Sequence, residues 1–517
     1  MQLNKLLEGV EIEQITGAME EEIKGIAYHS GQVREGFLFS AIRGLAVDGH
    51  QFIDEALQRG ASAVILERMR EMPVTTIRVP NSRKALARVS ANYYGNPSSR
   101  VTLIGVTGTN GKTTTTYLLE SILKIAGYQV GVIGTISYRY GQKETPAPNT
   151  TPESLDLQRI LGEMASVGVT HVIMEVSSHG LDLDRVFGCH FDGAVFTNFT
   201  SDHLDYHKTL GQYFEGKRKL FSDVLLKSQK VRKFAVTNDD DPRGAAIVQG
   251  IDVPIIRYGL NSFSAVSADQ IRSTFEGLSC RIRTPKGEFS IQSKLIGRHN
   301  LYNILAAVAT GIGIDLPLTT LKKGVEALEG VSGRSERVEN RRGIHVIVDY
   351  AHTQDALERV LLGLRALLEE GDGKGGTPDR WRGERKIITV FGCGGDRDRT
   401  KRPLMGEVVG RYSDLSILTS DNPRTEDPLA IMKEAEVGLK NLCLNEWSRN
   451  GMRSWRRDRG YLKIPDRREA IRMAVRLAQP SDIVLIAGKG HEDYQIIGRE
   501  RFPFDDRVEA RKALEEL

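Results

Sequence analysis

The stretch GVTGTNGKTTTT (105–116) follows the apolar run VTLI and carries what a phosphate cradle needs. Gly108 and Gly111 let backbone N–H groups approach an anion, Lys112 neutralises it, and the Thr113 and Thr114 hydroxyls can reach a divalent metal. The spacing departs from G-x-x-x-x-G-K-[ST], because Val106 stands five residues before Gly111. A second apolar run, HVIMEVSS (171–178), closes on Glu175, a carboxylate suited to magnesium beside such a loop. NFTSDHLDYH (198–207) spaces His203 and His207 four apart. That spacing admits zinc, but weakly, since neither an H-E-x-x-H pattern nor a cysteine partner accompanies it. Motors, switches, kinases and ligases all use phosphate loops, so the rest of the chain must identify the phosphoryl acceptor.

The elements that hold these residues belong to a chain of 517 residues, too long for one compact core. Hydrophobic residues at 40% and charged residues at 27% are ordinary for a soluble protein, and a net charge of +4 gives no reason to expect nucleic-acid binding. Cys189, Cys280, Cys393 and Cys443 lack metal-like spacing, as in a reducing compartment. MQLNKLLEGVEIEQ has no apolar signal core, and no apolar run approaches the roughly 18–20 residues of a membrane span. A cytoplasmic, multidomain protein without membrane insertion is expected.

Three units are expected. Residues 1–98 read as a small α/β unit, with strands at FLFSAI (37–42) and ASAVILE (61–67), a helix at IDEALQRG (53–60), and a turn-rich boundary at NPSS (96–99). Residues 99–332 alternate strand and helix, as in a mainly parallel sheet. Residues 333–517 place four apolar strands, in IHVIVDYAH, KIITVFGCGG, LSILTSDNPR and DIVLIAGKGHE, directly before polar and glycine residues. Ligands gather at such carboxyl-terminal strand ends, so the four describe one shared site. Two inserts, 369–384 and 445–463, read as dispensable for the fold, the second as a basic, solvated loop.

TGTNGKTTT, MEVSSHGL, FTNFTSDHLDYH, LIGRHNLYN, DYAHT, GCGGDRDRTKRPLMG, DNPR and GKGHEDYQ occur in the order found in the Mur ligases. The chain resembles that family over nearly its whole length, with the spacing of its tripeptide-forming branch. Departures are Gln354 where proline is commoner, His299 where phenylalanine is frequent, and Gly216 where alanine is usual. The resemblance implies an α/β, three-domain fold: a UDP-sugar-binding domain, a central ATP-binding domain with a P-loop ATPase-like parallel sheet, and a Rossmann-like domain for the amino acid. It implies an ATP-dependent amide ligase of peptidoglycan synthesis, acting on the D-glutamate γ-carboxylate of UDP-N-acetylmuramoyl-L-Ala-D-Glu. A carboxylate is a poor electrophile; phosphorylation to an acyl phosphate removes its charge and supplies a leaving group.

The resemblance also assigns roles. Gly108, Thr109, Asn110, Gly111, Lys112, Thr113 and Thr114 would cradle ATP, with Asn300, Asn303, Arg334, Asp349 and His352 at its base and ribose. Thr114 and Glu175 would bind one Mg²⁺ and His203 a second, with Lys217 carrying a CO₂-derived carbamate toward the metals. Lys112, Glu175, His203 and Lys217 are the expected catalytic set. Ser30, Asn149, Thr150, Thr151, Ser177 and Arg185 would hold the nucleotide-sugar dipeptide. The third domain is expected to close over the acyl phosphate, and the enzyme to be a monomer.

The acceptor implied by the resemblance is meso-diaminopimelate, whose distal carbon carries both a carboxylate and an ammonium. Arg424 of DNPR suits that carboxylate by its planar fork, and Glu492 suits the ammonium. Arg397, Asp421, Asn422 and Pro423 would complete the pocket, with Gly488 leaving room. Arg424 could instead pair with nearby Glu426 or Asp427. The remaining alternatives are L-lysine as acceptor, a folylpolyglutamate-type ligase, and a P-loop ATPase that merely hydrolyses ATP.

Overall fold

The computed structural model describes residues 1–516 apart from 45–46, 262, 371–384 and 449–454. Three sheets follow one another along the chain, with a separate hairpin near the end. In the first, Gly25–Ala27, Phe37–Ser40, Ala61–Leu66 and Thr75–Arg78 run parallel, and Gln14–Thr16 adds an antiparallel edge. The Ile53–Gln58 helix lies between two of these strands in sequence, as its apolar spacing predicts.

The middle sheet has eleven strands. Seven are parallel, with Thr102–Thr107 near the centre between Gly193–Phe196 and His171–Glu175. Antiparallel hairpins extend it at both ends. The central strands are buried on both faces, which is why they read as unbroken apolar runs. One face packs on the Lys112–Ile125 and Arg298–Gly313 helices through Leu118, Ile122, Leu301 and Leu305. The other packs on the Ser154–Ser166 helix through Leu157, Leu161 and Met164.

The third sheet has seven strands, with His345–Asp349, Ile483–Ala487, Ile387–Phe391 and Leu415–Leu418 parallel and adjacent. These are the four strands whose ends the sequence joins into one site. The first insert lies outside the described residues from 371 onward. The second lies outside the described residues at 449–454, but its part from 455 onward corrects an expectation: it is built into the fold. Its Gly460–Lys463 segment is a strand of the third sheet, and Trp455 is buried against Ile471 and Val475 in the core there. Arg456 forks onto the buried Asp482 at 2.6 and 3.2 Å, and Arg459 donates to the Gly410 and Ser413 carbonyls. Arg456 and Arg459 are anchors because their partners are buried and lie far away in sequence.

Candidate active site

The Thr102–Thr107 strand hands over to the Lys112–Ile125 helix through the phosphate loop, so the loop meets the helix N-terminus, where unpaired N–H groups point outward. Gly111 has φ +86°, and a Cβ there would lie 2.3 Å from Asn303 Oδ1. Only glycine lets the loop sit this close to the helix that bears Asn300 and Asn303. Lys112 Nζ donates to the Gly108 and Thr109 carbonyls, both at 2.9 Å. Lys217 Nζ, almost fully buried, donates to the same Gly108 carbonyl at 2.9 Å and lies 4.3 Å from the Tyr213 ring centroid. Burial first, and then the charge of Lys112, push the Lys217 pKa well below the usual lysine value.

Glu175 is buried at the end of its strand and gripped by Thr135, whose N–H reaches one carboxylate oxygen at 2.9 Å and whose hydroxyl reaches the other at 2.8 Å. Thr135 Oγ1 also lies 3.1 Å from Thr150 Oγ1, tying the Glu175 carboxylate to the 149–151 loop. His203 has φ +53°, a left-handed conformation that a non-glycine residue adopts only under constraint. Burial lowers its pKa to about 3, against the pull of Asp202, so the imidazole is neutral and free to act as a ligand. Among the described residues, no three His, Cys, Asp or Glu side chains gather as a metal cage. His207 is engaged by Ser178 Oγ at 2.9 Å. The zinc reading of this histidine pair therefore fails. One carboxylate, a threonine hydroxyl and an imidazole beside a phosphate cradle suit magnesium, which keeps waters and takes phosphate oxygens.

A cavity of about 590 Å³ joins these groups to the rest of the nucleotide set. Thr109 to Thr114, Thr150, Glu175, Ser177 and His203 line one side, and Asn300, Asn303, Arg334, Asp349 and His352 the other. Gly108 and Lys217 lie behind the loop, outside this lining. Direct contacts cross from the third unit. Asp355 accepts from Asn110 Nδ2 at 2.9 Å and from Thr200 Oγ1 at 3.0 Å, and Arg334 Nη2 lies 3.2 Å from Thr113 Oγ1. Lys401 reaches Asp202 at 2.5 Å. Although burial opposes it, the His203 imidazole and the Lys401 ammonium beside Asp202 hold its carboxyl below the usual carboxylate pKa. The Arg334 guanidinium rests 4.4 Å from the Tyr350 ring centroid.

Of the residues expected to hold the donor, Thr150 and Ser177 line the large cavity, whereas Asn149, Thr151 and Arg185 lie toward the seam between the first two units. Asn149 lines a separate groove of about 320 Å³ with Tyr138, Glu153 and Asp156, and Tyr28 of the first unit donates to Asp156 at 2.7 Å. Thr151 accepts from Ser177 N at 2.9 Å and donates to the Glu175 carbonyl at 3.0 Å. Arg185 donates to the Thr151 carbonyl at 2.9 Å, and its Nε lies 3.3 Å from Glu153. Arg83, from the first unit, reaches the same Glu153 at 3.1 Å. Ser30 is buried in the first unit and donates to Glu55 at 2.8 Å.

The acceptor-type residues form a third cluster, and none of them lines the large cavity. Arg424 sits at φ +52° with Nη1 on the Gly395 carbonyl at 2.7 Å, whereas Glu426 is taken by Arg399 and Arg402. The alternative pairing of Arg424 with Glu426 is thus absent. The Tyr494–Ile497 and Glu500–Pro503 hairpin braces this loop: Arg424 N donates to the Ile496 carbonyl, Gly498 N to the Arg424 carbonyl, and Ile496 N to Asn422 Oδ1. Asn422 Nδ2 in turn donates to Glu492 at 2.8 Å. A Cβ on Gly488 would stand 2.6 Å from Asp421 Oδ2, so the room that this glycine leaves is filled by a carboxylate. Pro423 lends its carbonyl to the close packing of Gly395, and Arg397 is exposed at the rim. Tyr350 links this cluster to the cavity it lines; burial, then the charge of Glu492, raise its phenol pKa.

Sequence reasoning passed over Thr135, Asp202, Asp355, Lys401, Tyr350, Lys489 and the bracing hairpin. Asp355 and Lys401 look like ordinary helix-surface charges, because their partners lie more than 190 residues away for Lys401 and 245 for the Asp355–Asn110 pair. Thr135 carried a signal, a glycine–threonine pair closing an apolar strand beside the Glu175 strand.

Comparison with known proteins agrees with this layout. Residues 22–94, 106–311 and 333–490 match models described as the Mur ligase family catalytic domain, the Mur ligase middle domain and the Mur ligase glutamate ligase domain. A protein of Geobacter metallireducens named UDP-N-acetylmuramoyl-L-alanyl-D-glutamate–2,6-diaminopimelate ligase is 48% identical over 100% of this chain and 99% of its own. One of the same name from Geobacillus thermodenitrificans is 44% identical over 96% of this chain and 95% of its own. A solved structure of a ligase with that name superposes with a TM-score of 0.67 at 31% identity, covering 100% of this chain and 99% of the other. The three-unit fold, the phosphate loop and these full-length likenesses lead to one conclusion: the chain belongs to the Mur ligase family of ATP-dependent, amide-forming ligases.

Proposed function

We propose that this chain adds meso-diaminopimelate to the D-glutamate γ-carboxylate of UDP-N-acetylmuramoyl-L-Ala-D-Glu, using ATP, in peptidoglycan precursor synthesis. The observation that carries the reading is the presence of three clusters of distinct charge: a cationic phosphate loop, a seam anchored by Arg185, and a side-chain cluster holding both Arg424 and Glu492.

The donor carboxylate takes the γ-phosphoryl group of ATP, giving an acyl phosphate and ADP. Lys112 turns from its two carbonyls to the transferring phosphoryl oxygens, and the helix N-terminus holds the remaining charge. Thr114, Glu175 and His203 are the groups that would hold magnesium, which neutralises charge on the phosphates. Tyr350 and Arg334 shield the mixed anhydride from water where the third domain meets the loop. The free amine of the acceptor attacks the acyl carbon, the tetrahedral intermediate expels phosphate, and the amide remains once the nitrogen gives up its proton.

Lys217 fits carbamylation. Its depressed pKa favours the neutral amine, which reacts with CO₂ to give a carbamate and a proton. The product is an anion that attracts Lys112 and the metals, which an ammonium at this place would repel. Carbon-13 NMR of protein equilibrated with labelled bicarbonate should show a carbamate resonance that Lys217→Arg abolishes; no resonance in the wild type would refute this assignment. We further infer a cytoplasmic monomer, supporting cell shape and division through wall synthesis, with no nucleic-acid or membrane partner. No described helix is long and apolar enough to cross a membrane.

The deciding experiment measures phosphate release with Mg-ATP and the nucleotide-sugar dipeptide, comparing meso-diaminopimelate with L-lysine. Release that requires meso-diaminopimelate is the expected result. Release with lysine would overturn the acceptor, and release needing neither amino acid would leave a simple ATPase.

A further inference from the structure

Beneath the acceptor cluster lies a lysine that the proposed chemistry leaves unused. Lys489 is wholly buried, yet its ammonium has no water to solvate it. It donates instead to Asn422 Oδ1 and to Glu492 Oε2, both at 3.1 Å, and lies 5.5 Å from the Tyr494 ring centroid. The Asn422 amide donates to that same Glu492 oxygen at 2.8 Å. One carboxylate oxygen of Glu492 is therefore occupied by two donors, and its orientation is set from below. A buried ammonium is costly unless paired and hydrogen-bonded, so its retention here calls for a role.

Charge accounts for it. Asp421 is buried against Gly488, and Glu492 is tied to the adjacent Asn422, so two carboxylates belong to one cluster. The neighbouring Arg467 is attracted to both, but its unit of charge is already matched by Asp506 at 2.7 Å in a fully buried pair. Arg397 is exposed, where water screens its charge, so Arg424 alone would leave the buried part of the cluster with a net negative charge, an environment that attracts a simple alkylammonium. Lys489 supplies the second cation and brings two carboxylates and two cations into balance. A balanced pocket favours a net-neutral, zwitterionic end and gives no net attraction to a lone ammonium.

We propose that Lys489 is a specificity-determining positioning residue: by neutralising and orienting Glu492, it makes the pocket select an acceptor whose far end is zwitterionic over one whose far end is cationic. The inference rests on the acceptor reading above, and wild-type protein tests that reading separately. If wild-type phosphate release does not depend on meso-diaminopimelate, the acceptor reading fails whatever Lys489 does.

Given that dependence, Lys489→Met is compared with wild type for meso-diaminopimelate as substrate and L-lysine as substrate or competitor. The expected result is a KM for meso-diaminopimelate raised roughly ten- to hundred-fold, with kcat changed less, while L-lysine binds as well as before or better. A thermal shift on binding the nucleotide-sugar dipeptide, which uses the other two domains, reports that the variant is folded. Lys489→Gln, measured in parallel, supplies the same ratio if Lys489→Met is not recovered folded. Equal losses for both acceptors, or an unchanged ratio, would overturn the proposal and leave Lys489 a purely structural ion.

Discussion

The phosphate loop and the acceptor cluster both hold lysines out of water, and they do so by opposite means. At the loop, Lys112 rests on carbonyl oxygens, which satisfy its hydrogen bonds without cancelling its charge. At the acceptor cluster, Lys489 rests on Glu492 and Asn422, so its charge is cancelled inside the protein. The first arrangement keeps a surplus of positive charge for a polyanion, and the second keeps none, as a zwitterion requires. The donor seam falls between them, with Arg83 and Arg185 sharing the single carboxylate of Glu153. The residual charge of each pocket, rather than its count of charged residues, describes the ligand it awaits.

The comparison can be broken most decisively at Lys112. Lys112→Met should lower kcat by about 10³-fold with dipeptide affinity retained, since its partners are neutral and only a phosphoryl group uses its charge. A loss of only a few-fold, in steady-state phosphate release, would mean the loop's surplus is not what transfer depends on. Next in size is Arg424→Met. It should cut kcat/KM for meso-diaminopimelate by about 10²-fold and leave the donor KM unchanged, because a substrate carboxylate loses its planar partner. An equal rise in the donor KM would show that the two pockets are not separately tuned. Arg83→Gln should have the smallest effect, raising the donor KM by about five-fold at constant kcat as Glu153 is freed to compete for Arg185. A titration of initial rates against the dipeptide distinguishes this from a general loss of activity.

What could be read in the sequence was local. The phosphate loop, the Glu175 strand end and the four strand ends of the third sheet each announce themselves within about ten residues, because apolar runs and glycine turns are short-range signals. Roles that depend on partners far along the chain were not legible. Asp355 is one charge in an amphipathic helix until the fold sets it on Asn110 and Thr200. Trp455 and Arg456 read as loop residues because their partners, the third core and Asp482, arrive from other parts of the sequence. Arg424 was visible, but not the hairpin that holds its backbone in a left-handed conformation.

The bridge from Arg83 through Glu153 to Arg185 bears on how such a chain can be recombined. The turn at 96–99 looks like a natural seam for exchanging the first domain with a relative's. Yet Arg83 also donates to the Arg43 and Leu183 carbonyls, and Asn81 reaches Asp184, so the contact surface of that domain is written on both sides of the seam. A graft that changes position 83 without position 153 would carry a foreign ion pair into the donor seam. The exchangeable module therefore includes the NTTPES loop, although that loop lies some fifty residues beyond the apparent boundary.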